Sequence, residues 1–335
     1  MIKILYYTDS HIRGTNPRAR KDNFSEAMKS KFREIFSLVK EHDCDALVCG
    51  GDLFDRPDTA YAVAGEFAAV LSECPVPHYV CPGNHEIYGY NLETIPRTIL
   101  GFYEQVGLIR ILDRKGYKLS KVSGPLGKGK INVLLTGQGF YHDIDRNPLD
   151  YQVNKGVFDG YKVHVVHGML VERPLPYEIA HTLVKDVQTD ADVILSGHEH
   201  IGYGLKKRED GVWFCNPGAL GRVSAKVEEM HRPIQVALFS FSESGITAEL
   251  IPLKSAQPGT EVLSRDHLVA LAEREDRMNS FLSLLAAEGE SKFLEVRDIV
   301  DDIARRDKLP EEVRGEALTR IAKAREALGV LGRVS

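Results

Sequence analysis

The sequence is poor in cysteine and lacks long hydrophobic runs. Its five cysteines form no CxxC pair and are odd in number, which argues against a disulfide framework or a cysteine-bound zinc. We therefore expect reduced thiols and a cytoplasmic location. Because no stretch approaches about 18 apolar residues, no membrane-spanning helix and no membrane partner are predicted. The chain also runs into polar residues too early for a signal peptide.

An excess of positive charge is also missing. The 335 residues include 43 Lys and Arg against 48 Asp and Glu, which gives a net charge of −5. This balance argues against a protein that coats nucleic acid by charge alone. It leaves open a nuclease whose site carries metal cations. The hydrophobic content of 43% is ordinary for a globular protein with a sizeable core.

Strand and helix patterns alternate over the first 110 residues. The runs 2–8, 46–49 and 77–81 are typical of strands, whereas 23–41 and 60–71 show helical periodicity. A strand–helix–strand order predicts parallel βαβ units.

From about residue 108 onward, short strand-like runs dominate, with one brief helix predicted over 177–185. The predicted strands cover 117–122, 131–135, 162–166, 192–195, 202–207, 212–215, 234–241 and 246–253. This pattern predicts an α/β fold in which a two-sheet sandwich is flanked by helices, rather than a single doubly wound sheet.

The strand signals stop after about residue 257. Helices are predicted over 266–288, over 292–306 and from 310 past 328, where Pro310 occupies a favoured first helical position. We therefore divide the chain into a domain over 1–257 and a C-terminal α-helical extension over 258–335.

Metal-ligand residue types recur where the predicted strands end. Residues two apart in an extended chain point to the same side, so Asp9 with His11, and His198 with His200, can each present two ligands. The full set is Asp9, His11, Asp52, Asn84, His167, His198 and His200. Seven ligands suit two metals that share a bridging carboxylate. Nitrogen and oxygen ligands without thiolate suit Mn²⁺, Mg²⁺, Fe or Zn²⁺, and the ligand types do not choose among these metals. Mn²⁺ is our first expectation.

The ordered motifs DxH, GD, GNHE, HG and GHEH resemble those of the calcineurin-like metallophosphoesterase superfamily over roughly residues 1–255. The resemblance implies one metal on Asp9, His11 and His200. It implies a second metal on Asn84, His167 and His198, with Asp52 as the bridge. His85 would then protonate or stabilise the leaving oxygen during two-metal phosphoester hydrolysis.

Three groups within this superfamily are candidates for the substrate that the chain acts on. Residues 51–57, GDLFDRP, are similar to a segment of SbcD-type DNA repair nucleases, as are residues 8–14 and 216–220. This similarity implies a DNA exo/endonuclease that acts in repair and recombination. The sequence departs from the SbcD-type pattern at two positions. Glu86 replaces the usual aspartate, and Asp55 stands where some relatives have histidine.

The alternatives remain open at this point. Arg56 lies in a segment similar to the GDxxDRG motif of protein phosphatases and could clamp a phosphate bidentately, but Pro57 replaces the motif's glycine. A nucleotide phosphodiesterase is compatible with the five motifs. An inactive scaffold for a partner is a remote alternative, since the complete ligand set and His85 speak against it.

Several side chains near the motifs are candidate substrate contacts. Arg13 opens a basic loop that continues through 18–21 and could meet a DNA backbone. Tyr88 and Tyr90 follow the GNHE motif and could stack a base or pack against the protein. The candidate phosphate contacts are Arg13, Arg56 and Arg222.

The C-terminal extension bears on partners. From residue 258 it carries 13 basic and 16 acidic residues, a net charge of −3, so it is not a DNA-binding arm. Its apolar stripes could pack on the body or dock a partner. The resemblance implies an SbcC-like coiled-coil ABC ATPase as that partner, and a homodimer is a second expectation.

Overall fold

A computed structural model of the chain describes residues 1–123, 129–153, 158–176, 178–266, 274, 277–278 and 293–331. It divides into two compact units, Met1–Arg265 and Asp266–Ser335. The division lies after the boundary at 257 that the sequence predicted, because the next residues bind the first unit. The Lys21 amide donates to the Val262 carbonyl at 3.0 Å, and the Ser264 amide donates to the Ala19 carbonyl at 2.8 Å.

The first unit holds fourteen strands in its described part. They are β1 Ile2–Tyr7, β2 Ala46–Cys49, β3 His78–Val80, β4 Arg110–Ile111, β5 Tyr117–Ser123, β6 Gly129–Gln138, β7 Tyr161–Gly168, β8 Leu170–Val171, β9 Thr182–Leu183, β10 Val193–His198, β11 Gly204–Lys207, β12 Trp213–Asn216, β13 Gln235–Ser242 and β14 Gly245–Pro252. Its helices are α1 Phe24–Glu41, α2 Tyr61–Leu71, α3 Ile99–Gln105, α4 Val227–His231 and α5 Gly259–Val262.

Two six-stranded sheets form the body of this unit. The first has the order β14-β13-β1-β2-β3-β4, and the second has the order β11-β12-β10-β7-β6-β5. Strands β1 to β4 run parallel, and β13 joins β1 antiparallel. In the second sheet the central strands β6, β7, β10 and β12 are parallel. The predicted two-sheet α/β sandwich is confirmed.

Alternation along β1 explains how the layers pack. Ile4 and Tyr6 lie in the core cluster shared with the second sheet, which includes Val165. Leu5 and Tyr7 lie in the cluster on the opposite face, against α1 and α2. Because successive side chains point to opposite faces, a strand covered on both faces reads as a continuous apolar run. This burial fixes β1, and with it the residues that follow it.

The predicted helix over 177–185 is wrong in the part the structure describes. Residues 178–181 are irregular, β9 follows at Thr182–Leu183, and a 3-10 turn covers Val184–Asp186. The conformation of this segment is determined by strand pairing, since β9 lies parallel to β8. The Thr182 hydroxyl also donates to an Asp145 carboxylate oxygen at 2.7 Å. These tertiary bonds override the local helical pattern.

The second unit contains two described helices, α6 Phe293–Arg306 and α7 Glu311–Leu331. Both match predicted helices, whereas the helix predicted over 266–288 lies mostly outside the described residues. The Arg314 guanidinium joins the two helices through bonds of 2.6 and 3.0 Å to the Asp301 carboxylate. Among the described residues, no helix combines the length and the apolar character needed to cross a membrane.

Candidate metal centre

The seven predicted ligands lie at the carboxyl ends of strands from both sheets. Asp9 and His11 follow β1, Asp52 follows β2, and Asn84 follows β3. His167 lies near the end of β7, His198 ends β10, and His200 comes two residues later. The structure brings them into one cluster, as expected where parallel strands end side by side.

The backbone turns sharply at these positions. Four of the seven residues have positive φ, namely Asp9 at 53°, His11 at 49°, Asp52 at 49° and His198 at 76°. Such angles are uncommon outside glycine and cost about 1–3 kcal/mol each, so they persist only where the surrounding structure imposes them. Backbone hydrogen bonds impose these angles here. The Asp9 amide donates to the Gly51 carbonyl at 3.0 Å, and the His11 amide donates to the Asp52 carbonyl at 2.9 Å. Strain concentrated on these residues is typical of a functional site.

Two glycines allow the close approach. At Gly51, where φ is 113°, a Cβ atom would collide with the His167 ring. At Gly83, a Cβ atom would collide with the Asp52 carboxylate. The GD and GNHE motifs therefore need glycine for space, and at Gly51 also for its backbone angle.

The first group of donors consists of Asp9, His11 and His200. The Nε2 atoms of His11 and His200 face each other at 3.0 Å, and Asp9 Oδ1 lies 3.9 and 3.7 Å from them. Burial lowers the pKa of His11 to about 4 and that of His200 to about 3, so both rings are neutral near pH 7. Neutral imidazoles with converging nitrogens are ready to ligate a cation.

The second group consists of Asn84, His167 and His198. His167 Nε2 lies 3.2 Å from Asn84 Oδ1, and the His198 ring centroid lies 5.2 Å from that of His167. His167 Nδ1 donates to the Gly50 carbonyl at 2.7 Å, which points Nε2 toward the centre. Burial lowers the pKa of His198 to about 3. His164, three residues earlier on β7, instead bonds Thr136 and the Asp150 carbonyl.

Asp52 lies between the two groups. Its Oδ2 atom is 3.8 Å from His11 Nε2 and 3.4 Å from His167 Nε2, while Oδ1 accepts the His85 amide at 2.9 Å. Burial opposes the charge on Asp52, but His167 outweighs it and holds the pKa of this carboxyl below its usual value. Burial likewise opposes the charge on His167, and Asp52 outweighs it and raises the pKa of His167 to about 9. One carboxylate thus faces both donor groups.

The donor set fits two divalent cations. Burial, together with the charge of Asp52, raises the pKa of Asp9 to about 7. Two ionised carboxylates in this buried site are therefore unfavourable without a cation. His11 Nδ1 is buried and has no hydrogen-bond partner among the described residues. Asp55 Oδ1 lies 3.7 Å from it, where a small shift would make the carboxylate contact that is common behind metal-bound histidines. The first group would hold one ion, the second group the other, and Asp52 both.

His85 is oriented by the backbone beside it. Its Nδ1 donates to the Asp55 carbonyl at 2.9 Å, which leaves Nε2 free, and its ring centroid lies 4.7 Å from that of His11. The arrangement suits proton transfer to a leaving oxygen. His85 also forms a close trio of donors with His11 and Asp52. Distance alone therefore does not separate a proton donor from a ligand at this position.

Glu86, the fourth residue of the GNHE motif, has a structural position. It is buried, and its two carboxylate oxygens accept the Phe54 amide at 3.1 Å and the Gly83 amide at 2.9 Å. Burial and the nearby Asp52 raise its pKa to about 8. The residue thus supports the turns that carry Asp52 and Asn84.

The three candidate arginines have different surroundings. Arg13 lies near the cluster, with Nη1 3.2 Å from the Asp55 carboxylate. Arg56 pairs with Asp58 at 2.9 Å on the surface. Arg222 is buried, and its guanidinium donates to the carbonyls of residues 229, 232 and 257 at 2.6–3.0 Å. Only Arg13 is thus brought beside the cluster.

The interior of the 216–222 loop gives Arg222 a structural role. The amides of Ala219, Leu220 and Gly221 donate to the carbonyls of His200, Thr8 and Asp9 at 2.8–3.0 Å. Arg232 in turn donates to the carbonyls of Ala219 and Gly221, and Lys31 donates to that of Leu220. Buried basic side chains therefore fix the loop that holds two ligands of the first group.

Two aromatic rings extend the cluster outward. The Phe140 ring centroid lies 5.2 Å from that of His198, and the half-exposed Tyr90 ring lies 5.3 Å from Phe140. The sequence indicated Tyr90 through its place after GNHE. It gave no motif for Phe140. The feature that indicates Phe140 is its position just after β6, which lies beside the strand that carries His167.

The two-sheet fold and the paired Asp/His groups at its strand ends define the class of dinuclear metal-dependent phosphoester hydrolases. Sequence comparison agrees, since the profile of the calcineurin-like phosphoesterase family matches residues 2–202. The chain belongs to this family.

Solved structures show distant likeness in fold. The protein TT1561 of Thermus thermophilus is 13% identical, with a TM-score of 0.42, over 74% of this chain and 98% of that one. A structure described as a novel archaeal phosphodiesterase is 11% identical, with a TM-score of 0.35, over 75% of this chain and all of that one. No curated protein gives a significant sequence match.

Proposed function

We propose that the protein is a DNA exo/endonuclease of the SbcD type that uses two divalent metal ions, Mn²⁺ first among them. The observation that carries the proposal is the aromatic pair of Tyr90 and Phe140 beside His198. Aromatic side chains stack the bases of single-stranded nucleic acid. A stacking surface next to the metal cluster would let one nucleotide bind by its base while its phosphate reaches the ions.

The residues have distinct tasks in this reaction. Bound divalent ions would stabilise charge on the phosphate and help to activate water. His85 would pass a proton through Nε2 to the leaving oxygen, and the Asp55 carbonyl keeps its ring in that orientation. Arg13, held by the Asp55 carboxylate, supplies positive charge for a neighbouring phosphate.

Arg56 argues against the protein phosphatase alternative. A phosphatase clamp requires this guanidinium to face the phosphate. Here it is bound to Asp58 on the surface and its side chain is 71% exposed. The nucleotide phosphodiesterase alternative keeps more support, because the same aromatic pair could hold one nucleotide of a small diester.

Degradation of end-labelled linear DNA by the purified protein with Mn²⁺ tests the proposal. We expect cleavage that chelation and Asp52→Asn both abolish, and that Asp58→Asn, at an exposed carboxylate outside the cluster, leaves unchanged. Hydrolysis of phosphomonoesters alone, without cleavage of DNA, would refute the nuclease assignment. Hydrolysis of dinucleotides but not of longer DNA would favour the nucleotide phosphodiesterase.

We also propose that the C-terminal extension engages an SbcC-like coiled-coil ABC ATPase in the cytoplasm, with homodimerisation as the second assembly. The support is its net charge of −3 and its described pair of helices. Light scattering on the full chain tests the homodimer. ATP-dependent stimulation of DNA cleavage by a purified ATPase of this type tests the partner.

A further inference from the structure

A cavity lies beside the aromatic pair. Its volume is about 690 Å³, within the range of small-molecule sites. Its lining includes Tyr90, Asn91, Arg114, Gln138 and Asp150. These residues come from the turn after the GNHE motif, from the turn between β4 and β5 that carries Arg114, from the end of β6 and from the loop that follows β6. The metal cluster does not use any of them.

Tyr90 is held in a costly conformation at the edge of this cavity. Its φ is 56°, an outlier for a bulky side chain, and the residue is 51% exposed. The Asn91 amide closes the turn by donating to the Tyr88 carbonyl at 3.1 Å. The turn therefore holds the ring at the edge of the cavity, against Phe140 on one side, with part of its surface open to a ligand.

The far wall of the cavity is rigid and polar. Arg114 is fixed by Gln138 Oε1 at 3.0 Å and by the carbonyls of Leu149 and Gln152 at 3.1 and 2.8 Å. Asp150 is 3% exposed, and its Oδ1 accepts the Tyr141 hydroxyl at 2.9 Å. Asp150 Oδ2 has no hydrogen-bond partner in the described part of the chain. Arg114, Gln138 and Asp150 thus give the cavity a wall of hydrogen-bonding side chains.

We propose that this cavity is a nucleoside subsite, which rests on the proposed function and specifies how its substrate is recognised. The base stacks on Tyr90 and turns its hydrogen-bonding edge to the polar wall. Phe140 lies between Tyr90 and His198, so the phosphate of the same nucleotide can reach the second donor group. Recognition then depends on the nucleoside as well as on the phosphate.

Two synthetic esters with the same leaving group test the subsite. Thymidine 5′-(p-nitrophenyl phosphate) carries a nucleoside, whereas methyl p-nitrophenyl phosphate does not. We expect Tyr90→Ala to raise KM for the thymidine ester about 10-fold, the size of one lost base–aromatic stack, with kcat retained. KM for the methyl ester should stay unchanged. Tyr90→Phe should keep the wild-type KM, and Tyr61→Ala, at a 93% exposed tyrosine outside the cavity lining, is the matched control.

Equal effects of Tyr90→Ala on the two esters, or no effect on either, would overturn the subsite while the hydrolase function stands. If the wild-type protein cleaves neither ester, calorimetry decides on the subsite alone, and the proposed function fails only if linear DNA is also left intact. Thymidine 5′-monophosphate should bind the wild-type protein more tightly than deoxyribose 5-phosphate, and Tyr90→Ala should remove that difference. Equal binding of the two phosphates to the wild-type protein would refute the subsite.

Discussion

Replacement of Asp52 by asparagine should weaken both metals at once. Its Oδ2 atom faces His11 Nε2 at 3.8 Å and His167 Nε2 at 3.4 Å, so the same charge serves both donor groups. A unit charge about 4 Å from another contributes about 4 kcal/mol at an effective dielectric constant of about 20. The asparagine keeps one oxygen ligand and nearly the same volume. Because a divalent ion doubles this unit-charge figure, the expected loss is at least about a thousandfold in affinity at each site, with little change in the fold.

Metal content after dialysis, with calorimetric titration of Mn²⁺, measures this effect. Wild-type protein should retain two ions, Asp52→Asn should retain none, and His200→Ala should retain one, because His200 belongs to the first group alone. Asp58→Asn controls for the loss of a carboxylate that lies on the surface. If Asp52→Asn loses a single ion while the other binds with wild-type affinity, the bridging position is wrong.

Three further predictions concern the surroundings of the cluster. His85→Ala should abolish phosphodiester cleavage and leave two ions bound; loss of an ion would show that the trio with His11 and Asp52 is a ligand set. Arg232→Met should lower Tm and weaken the first ion about 10- to 100-fold, the usual size of such supporting effects, and equal weakening of both ions would contradict this account. Metal binding at pH 7 should release roughly one to two protons, since the pKa values of His167 (about 9) and Asp9 (about 7) leave them wholly or partly protonated, whereas His11, His198 and His200 are already neutral. Calorimetry in buffers of different ionisation enthalpy counts these protons, and no release would refute the assignment.

Much of the fold could be predicted because its signals are local and periodic. The apolar run of β1 and the helical spacing of α1 each follow from burial of a regular element. The ligands were predictable for a related reason, since Asp9 with His11 sit at a strand end and carry side chains that suit metals. Spacing alone did not show that their backbone has positive φ.

Other features depend on contacts far apart in sequence. The 177–185 segment follows its pairing with β8, which no local pattern contains. Arg222 follows the 216–220 segment and was expected to contact phosphate, yet its donors meet backbone carbonyls inside the fold. Phe140 reaches the cluster because β6 lies beside β7, a neighbour relation that the sheet order alone supplies.

The clamp on the 216–222 loop has a kinetic consequence. Asp9 and His200 can separate only when the loop amides release their carbonyls, and Lys31 ties that event to α1. We therefore expect the rate at which a chelator strips the first ion to follow local opening of this loop and to become independent of chelator concentration. The second group lacks these loop bonds among the described contacts, so its ion should exchange at a different rate from the first ion.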